Sequence, residues 1–302
     1  MSPHTLEHTR KPGWKPAPDQ EMYQSFTVDE DRERTNQHYE QPPVFFQRIT
    51  GGEWNVYSCN LWDSATNDTE SQEAKLDLMA RCMDLKPGAR ILDVGCGWGG
   101  PLTYLCKRYG ARGVGLTLSP KQKAFAEARI ARHGVDARIV ESHWHDYQDD
   151  EPFDAIYTDE VIVHFNDLGG FFGKSLSLLR PGGRMVNKEL HFTNAAHAVI
   201  NRATLPINEI YGFTGNYRTL AQELAMMDDA GFDVEEVVTI PRWQYAKTLA
   251  RWQGNMHEHR AEIEEAVGTD YYLKFRRYLK LAAMMVTSPL FTVNVVVGRK
   301  PE

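Results

Sequence analysis

The sequence predicts an α/β fold with a doubly wound parallel sheet, and three observations favour it. Apolar, strand-like segments alternate with helical segments from residue 86 to about residue 190. Glycines follow the first strand, in "ILDVGCGWGG". Polar residues collect where later strands end, as in "YTDEVIVHF" (157–165). This pattern is typical of Rossmann-like sheets, which bind ligands at the carboxyl ends of their strands.

The elements follow from their periodicity, taken in chain order. Residues 21–85 are mostly helical, and "KPG" ends the last helix before the first strand. Strands are predicted at "RILDVGC", "GVGLTL", "DARIVES", "FDAIYT" and "GGRMVNKEL", with helices at "PLTYLCKRY", "SPKQKAFAEARIARHG" and near "LGGFFGKSLSLL". A helix ("TLAQELAMMDDAG"), a strand ("FDVEEVVTI"), a helical stretch over about 244–286 and a last strand ("FTVNVVVGR") complete the chain.

Three units are expected along the chain. Residues 1–20 contain four prolines and are predicted to form a mobile N-terminal segment. Residues 21–85 are predicted to form an N-terminal helical cap, and residues 86–302 the core. Within the core, an irregular insertion at about 191–220 and the helical stretch at 244–286 would cover the edge of the sheet.

Composition narrows the class of protein. The chain has 302 residues, 42% of them hydrophobic and 25% charged, which is ordinary for a globular protein. Its net charge of −7 is spread along the chain, so neither nucleic acid nor membrane association is indicated. The four cysteines lack a CxxC spacing and the N-terminus lacks a signal-peptide core, so reduced thiols and a cytoplasmic location are expected.

The glycine-rich turn indicates a cofactor site. Gly95, Gly97 and Gly99 leave an apolar strand and let the backbone pass close to a ligand. A dinucleotide is disfavoured because Asp93 lies inside the strand and the next strand ends in "GLTLS" without an acidic residue for a ribose.

Several motifs in register resemble one known family. "HYE" (38–40), "YSCNLWD" (57–63), "ILDVGCGWGG" (91–100), "GVGLTLSPKQ" (113–122), "LRPGGRM" (179–185) and "QYAKTLARW" (244–252) occur in the order found in S-adenosylmethionine (SAM)-dependent cyclopropane fatty acid and mycolic acid cyclopropane synthases. The resemblance covers residues 36–298. It implies the Rossmann-like fold of class I SAM-dependent methyltransferases with a helical cap.

The resemblance also implies a set of cofactor contacts. These are Tyr57, Ser58, Gly95, Gly97, Thr117, Leu118, Gln122 and Trp144. The glycines would let the backbone pass close to the methionine part of SAM. A polar residue after the second strand would reach the ribose, and Trp144 would stack beside the adenine. The alternative is that Trp144 is only a core residue and Gln122 only an N-terminal helix residue.

The reacting site departs from the family pattern. Cyclopropane synthases resemble one another in using a bound bicarbonate as base, held by residues of "YSC", "GxFEHF", "LLH" and the "YAKTL" tyrosine. Cys59 and Tyr245 match, whereas Val163 replaces the glutamate and Lys188 the histidine. Ring closure through that base is therefore in doubt.

Glu160 is the candidate replacement base. It lies three residues before Val163 and resembles the glutamate of sterol and geranyl diphosphate C-methyltransferases, with His164 at their final His or Tyr. The predicted catalytic residues are thus Glu160, His164, Tyr245 and Cys59. The alternative is that Asp159 or Glu160 caps the following helix and His164 bonds to Glu160 one turn later.

Cationic and phenolic side chains near the insertion suggest a diphosphate site. They are Lys188, His191, Arg202, Tyr217 and Arg218, and a solvated surface is the alternative for each. Glu160 and Glu189, with Asp159, are candidate ligands of a Mg²⁺ ion bridging to the diphosphate. Dense aromatic residues around the cap would line an apolar tunnel and stabilise a carbocation.

Together these features predict a SAM-dependent C-methyltransferase (EC 2.1.1) that adds a methyl group to an alkene carbon of an isoprenoid. Prenyl diphosphates (geranyl, farnesyl or isopentenyl) are the leading candidates, and the cation would lose a proton or cyclise. The alternatives are a fatty acyl or phospholipid methyltransferase or cyclopropane synthase, and a degenerate SAM-binding protein without activity. A homo-oligomer is compatible with the sequence.

Overall fold

The computed structural model describes residues 27–30, 33, 41–165, 167–197 and 216–302. The predicted mobile segment at 1–20 and most of the insertion at 191–220 lie outside these ranges. The unit boundaries therefore stay predictions. No helix in the described part of the chain is long and apolar enough to cross a membrane.

The core is one seven-stranded sheet. Its strands are β1 (Arg90–Val94), β2 (Arg112–Thr117), β3 (Ala137–Glu141), β4 (Phe153–Asp159), β5 (Leu179–Phe192), β6 (Asp233–Ile240) and β7 (Phe291–Arg299). They are arranged in the order β3-β2-β1-β4-β5-β7-β6. The first five pair in parallel, whereas β7 runs antiparallel to both β5 and β6. The doubly wound α/β fold is confirmed.

Nine helices are named here from the described residues. They are α1 (Pro43–Thr50), α2 (Asp68–Cys82), α3 (Gly100–Tyr109), α4 (Pro120–His133), α5 (Leu168–Leu178), α6 (Leu220–Asp229), α7 (Arg242–Glu258), α8 (Arg260–Val267) and α9 (Thr269–Thr287). The helical stretch predicted at about 244–286 consists of three helices. It breaks at His259 and at Gly268, whose φ of 84° few other residues adopt.

Three apolar clusters connect the sheet with the helices. One sheet face packs under α2 and α3, with residues such as Leu76 and Leu102, and the other under α5 and α6. The third cluster joins α1 to α7, α8 and α9 through residues such as Phe46, Trp252 and Phe275. This helical cluster lies beside the carboxyl end of β1, because Trp98 in the glycine turn belongs to it.

Candidate active site

A cofactor-sized pocket opens at the carboxyl ends of β1 and β2. Its volume is about 600 Å³, including space open to solvent. Among the residues that line it are Gly95, Gly97, Thr117, Leu118, Gln122, Trp144, Glu160 and His164. Six of the eight cofactor contacts implied by the resemblance are therefore brought to one cavity.

The glycine turn leaves room for a ligand in this pocket. Gly97 has a φ of 51°, and a Cβ built on it would have no atom within 4 Å. Gly95 has a φ of 82°, and its Cβ would collide with Val161. Both positions favour glycine, and the open space at Gly97 fits the methionine part of SAM passing close to the backbone.

We expect Gly97→Ala to weaken SAM binding by about tenfold or more, because its methyl group would enter this space at a strained φ. Calorimetric titration with SAM measures the effect. Gly134→Ala is the matched control, since Gly134 also has a positive φ (63°) and open space but ends α4 outside the pocket. Equal SAM affinity of the Gly97→Ala variant and this control would contradict the placement.

The far wall of the pocket combines a helix start with an aromatic cluster. Ser119 caps α4 by accepting a hydrogen bond from the Gln122 backbone N–H, while the Gln122 side chain accepts one from the Thr117 hydroxyl at 2.7 Å. Trp144 packs against the rings of Phe165 and Phe171. Gln122 and Trp144 thus have the structural roles given as alternatives and also line the pocket.

Tyr57 and Ser58 lie elsewhere than the resemblance implies. The Tyr57 ring stacks on Trp252 with centroids 5.0 Å apart and lines a second pocket. The buried Ser58 hydroxyl donates to Asp159 at 2.8 Å. Neither lines the cofactor pocket.

The second pocket adjoins the first and is lined mainly by aromatic residues. Its volume is about 520 Å³, including space open to solvent. It is lined by Tyr57, Glu160, Val163, His164, Glu189, Leu190, Tyr217, Tyr245, Trp252 and Tyr278. Glu160 and His164 line both pockets, so a group transferred from one pocket to the other would pass beside these two residues.

The Glu160 carboxylate is held at this junction by three groups. One oxygen accepts a hydrogen bond from the Cys59 backbone N–H at 2.8 Å and pairs with Lys188. The other accepts from the Tyr245 hydroxyl at 2.6 Å. Glu160 has a φ of 58°, a conformation that costs a non-glycine residue about 1–2 kcal/mol. The backbone is thus strained where the carboxylate is directed into the junction.

A buried ionic network lies behind Glu160. Lys188 is fully buried and also bonds Asp159 at 3.0 Å, and Asp159 pairs in turn with the buried Lys75. Burial opposes the charge on Lys188, but Asp159 and Glu160 outweigh it and raise the pKa of this lysine. Burial likewise disfavours the Asp159 carboxylate, but Lys188 and Lys75 hold its pKa below the usual range. Two positive and two negative charges therefore balance.

Neither acidic residue caps the following helix, so the capping part of that alternative is wrong. The 3₁₀ turn Ile162–His164 has no side-chain cap, and α5 is capped by Asp167. Cys59 contacts Glu160 through its backbone N–H, whereas its thiol donates to the Asn60 carbonyl at 3.6 Å. Burial raises the pKa of this thiol to about 12 and keeps it protonated. Burial and the charge of Glu160 raise the pKa of Tyr245 well above its usual range, so this tyrosine stays a donor.

The predicted diphosphate cluster does not assemble. Lys188 forms ion pairs with the buried carboxylates of Asp159 and Glu160. His191 lies buried against Glu223 and Asn294, and the Arg218 guanidinium donates to the backbone carbonyls of Ile162, Asn216 and Phe165. Tyr217 lines the aromatic pocket, and Arg202 lies outside the described residues. Among the residues that the structure places, this pocket therefore has no group of unpaired cations that could bind a diphosphate.

The predicted Mg²⁺ site is also wrong for the described part of the chain. No group of three or more His, Cys, Asp or Glu side chains there could hold a metal ion. Glu160 is engaged by Lys188 and Tyr245. Glu189 accepts the backbone N–H groups of Val163 and Leu190, and burial, with the nearby charge of Glu160, raises its pKa to about 8. A mainly protonated carboxyl is a poor Mg²⁺ ligand.

Lys75 is the residue that sequence reasoning missed. It lies on α2, far from every motif, and is fully buried although its helix has a weakly apolar face. A lysine on the inner face of a predicted helix is a signal for a buried partner, because an unpaired ammonium is costly to bury.

The strand order, the glycine turn at the end of β1 and the pocket beside it define a class I SAM-dependent methyltransferase. Within that class the chain belongs to the mycolic acid cyclopropane synthetase family, whose model matches residues 26–295. The resemblance found in the motifs is therefore confirmed.

Two relatives and two solved structures illustrate the similarity. A probable fatty acid methyltransferase, Rv3720 of Mycobacterium tuberculosis, is 30% identical over 79% of this chain but only 56% of its own length. The hydroxymycolate synthase MmaA4 of the same organism is 26% identical over 87% of this chain and 91% of its own. The cyclopropane synthase MmaA2 from Mycobacterium tuberculosis superposes with a TM-score of 0.81 at 24% identity, covering 89% of this chain and 98% of that one. The mycolic acid cyclopropane synthase CmaA1, complexed with SAH and CTAB, gives the same TM-score and coverages at 25% identity.

Proposed function

We propose that the protein transfers the methyl group of SAM to a carbon of a C=C bond in a long, hydrophobic acyl-type substrate, and that Glu160 removes the proton afterwards. The observation that supports this proposal most strongly is the position of the Glu160 carboxylate. Cys59, Tyr245 and Lys188 hold it where the two pockets meet. The fatty acid and mycolic acid names of the relatives support the acyl class over prenyl diphosphates. The residues that the structure describes also form no diphosphate cluster, since Lys188, His191 and Arg218 have other partners.

In such a reaction the first pocket would bind the methyl donor and the second pocket the acceptor. SAM supplies an electrophilic methyl group, and an alkene is a weak nucleophile that must be aimed at it with water excluded. The aromatic lining of the second pocket, including Tyr57 and Trp252, suits an apolar chain. Attack by the alkene on the methyl carbon would form a carbon–carbon bond as the S–CH₃ bond breaks, with S-adenosylhomocysteine as the leaving group. The cation left on the substrate would be stabilised by aromatic faces and the Glu160 carboxylate.

Glu160 is suited to complete the reaction by taking a proton. By the family resemblance, the "YSC" segment and the "YAKTL" tyrosine hold a bicarbonate ion. Here Cys59 and Tyr245 hold the Glu160 carboxylate, so a side chain supplies the group that bicarbonate would supply. Loss of a proton from a carbon next to the cation gives a methylated alkene, and loss from the new methyl group gives a cyclopropane.

The test is product identification with methyl-labelled SAM. The acceptors are a monounsaturated fatty acid, phospholipid vesicles carrying the same chain, and geranyl diphosphate. We expect label on a carbon of the acyl chain, with a net gain of one carbon and two hydrogens. Label only in geranyl diphosphate would overturn the acyl class, and binding of SAM without turnover on any alkene would overturn the activity.

We expect Tyr245→Phe to lower kcat about 10- to 100-fold, because a hydrogen bond to a charged group contributes about 1.5–3 kcal/mol. Cys59→Ala should stay within about threefold of the wild type, since Cys59 binds Glu160 through its backbone. Steady-state turnover of both variants measures the difference. A loss in Cys59→Ala as large as that in Tyr245→Phe would show that the thiol itself is needed.

A further inference from the structure

The outer face of α9 presents apolar and cationic side chains together. Leu273 and Met284 are exposed over 46% and 69% of their surfaces, and the exposed residues Arg276, Arg277 and Lys280 lie between them. Apart from Arg276, these residues are spaced four, three and four positions apart, so they line one side of the helix. The opposite side is buried in the third apolar cluster through Tyr272, Phe275, Leu279 and Val286.

This face is cationic although the chain as a whole is acidic. The net charge of the chain is −7, yet residues 271–287 contain four Lys and Arg residues and no Asp or Glu. Two of the three acidic residues on the neighbouring α8 have other partners, since Glu262 pairs with Arg48 and Glu264 with Arg260. Cations that lie within a Debye length of about 10 Å act together on a charged partner. The outer face of α9 therefore complements an anionic surface.

The mixture of charged and apolar side chains favours a lipid surface over an acidic protein. Each Lys or Arg close to an anionic bilayer strengthens binding by about fivefold. The side chains of Leu273 and Met284 can enter the head-group layer while the charged ends of their neighbours stay at its surface. The stripe from Leu273 to Met284 follows one convex side of a helix for about 17 Å, so a flat surface can contact all of it at once.

The same helix also reaches the pocket for the acceptor. Tyr278 follows the exposed Arg277 directly in the sequence, and it lines the aromatic pocket. Its ring packs edge-on against Phe275, with centroids 5.3 Å apart. A single helix therefore separates the cationic face from the pocket in which an acyl chain would bind.

We propose that the outer face of α9 binds the surface of an anionic phospholipid bilayer. Arg276, Arg277 and Lys280 contact the anionic head groups, and Leu273 and Met284 insert between them. This binding goes beyond the proposed reaction, because it takes place whether or not a methyl group is transferred. Supply of the acyl chain from the bound bilayer would deepen the proposed function and rests on it.

Co-sedimentation with vesicles tests this surface with lipids that cannot react. Diphytanoyl phospholipids have saturated chains, so the vesicles contain no alkene. At low salt we expect the wild-type protein to bind vesicles of phosphatidylglycerol and phosphatidylcholine in equal amounts about tenfold or more tightly than vesicles of phosphatidylcholine alone. Addition of NaCl to about 0.5 M should remove most of this difference, because salt screens exposed charges.

Paired substitutions assign the binding to this face. Arg276→Gln with Lys280→Gln should weaken binding to the anionic vesicles by about tenfold or more, because two cations are lost. Lys107→Gln with Arg108→Gln is the matched control, since it removes two exposed cations from the end of α3, and it should change the affinity by less than about threefold. Leu273→Ser with Met284→Ser, which removes no charge, should also weaken binding by about tenfold.

The outcomes separate this proposal from the proposed function. Equal binding of both kinds of vesicle by the wild type would overturn the lipid surface, and this comparison needs no variant to fold. Equal affinities of the Arg276→Gln with Lys280→Gln variant and the α3 control would overturn it too, as would binding of an acidic acyl carrier protein in place of vesicles. Vesicle binding without methylation of any alkene would overturn only the proposed function. Methylation of a free monounsaturated fatty acid without vesicle binding would overturn only the lipid surface.

Discussion

Glu160→Gln is expected to lower kcat for methyl transfer by about 10²- to 10⁴-fold, the usual contribution of a general acid or base. Glutamine keeps the size of the side chain and can still accept a hydrogen bond from Tyr245. It cannot take a proton, and its neutral amide stabilises a substrate cation less than a carboxylate does. Turnover with methyl-labelled SAM and the best acceptor measures the loss.

Two controls make this result specific. The SAM dissociation constant of Glu160→Gln should stay within about threefold of the wild type, because the glycine turn and the end of β2 supply most of the cofactor pocket. Glu127→Gln, on the exposed face of α4, should keep full activity. A Glu160→Gln variant that retains more than a third of wild-type turnover would remove Glu160 as the base.

The largest expected effect on stability comes from Lys188→Met. Lys188 is fully buried and contacts Asp159 and Glu160, so its removal leaves two carboxylates facing one remaining lysine, Lys75. Breaking a buried ion pair by removing one partner costs about 3–5 kcal/mol. Urea unfolding should show this loss, together with loss of turnover because Glu160 is no longer held.

The matched control for this variant is Lys280→Met, on the exposed side of α9. It should change the free energy of unfolding by less than about 0.5 kcal/mol. In the double variant Lys188→Met with Glu160→Gln, part of the loss should be recovered, since neutralising one carboxylate removes part of the uncompensated charge. Equal stability of Lys188→Met and Lys280→Met would show that the network does not contribute to folding.

Much of the fold could be predicted from the sequence because its signals are local. Apolar runs marked each parallel strand, and the turn holding Gly95 and Gly97 identified the end of β1. Glu160 was also predictable, because the residue after a buried parallel strand reaches the ligand-binding edge of the sheet. The helical stretch at about 244–286 was predicted without its breaks, since the break at Gly268 depends on one backbone angle.

The predicted diphosphate site failed because closeness in sequence was taken for closeness in space. Side chains alternate between the two faces of a strand, so Lys188 and His191, three residues apart on β5, point to opposite faces. The pairing of Lys75 with Asp159 joins α2 to the end of β4 across 84 residues. The position of Lys75 on the inner face of its helix signals a buried partner, but local periodicity does not identify which residue that partner is. The placement of Tyr57 against Trp252 was missed for the same reason.

We propose that the Glu160 carboxylate stands in place of bicarbonate, and the bicarbonate dependence of turnover shows whether it does. Glu160→Gly removes the carboxylate, relieves the positive φ and leaves space beside Cys59, Tyr245 and Lys188. In CO₂-free buffer, wild-type turnover should be unchanged, and Glu160→Gly should be nearly inactive and recover about tenfold or more on addition of bicarbonate. Wild-type turnover that falls in CO₂-free buffer and returns with bicarbonate would contradict the claim.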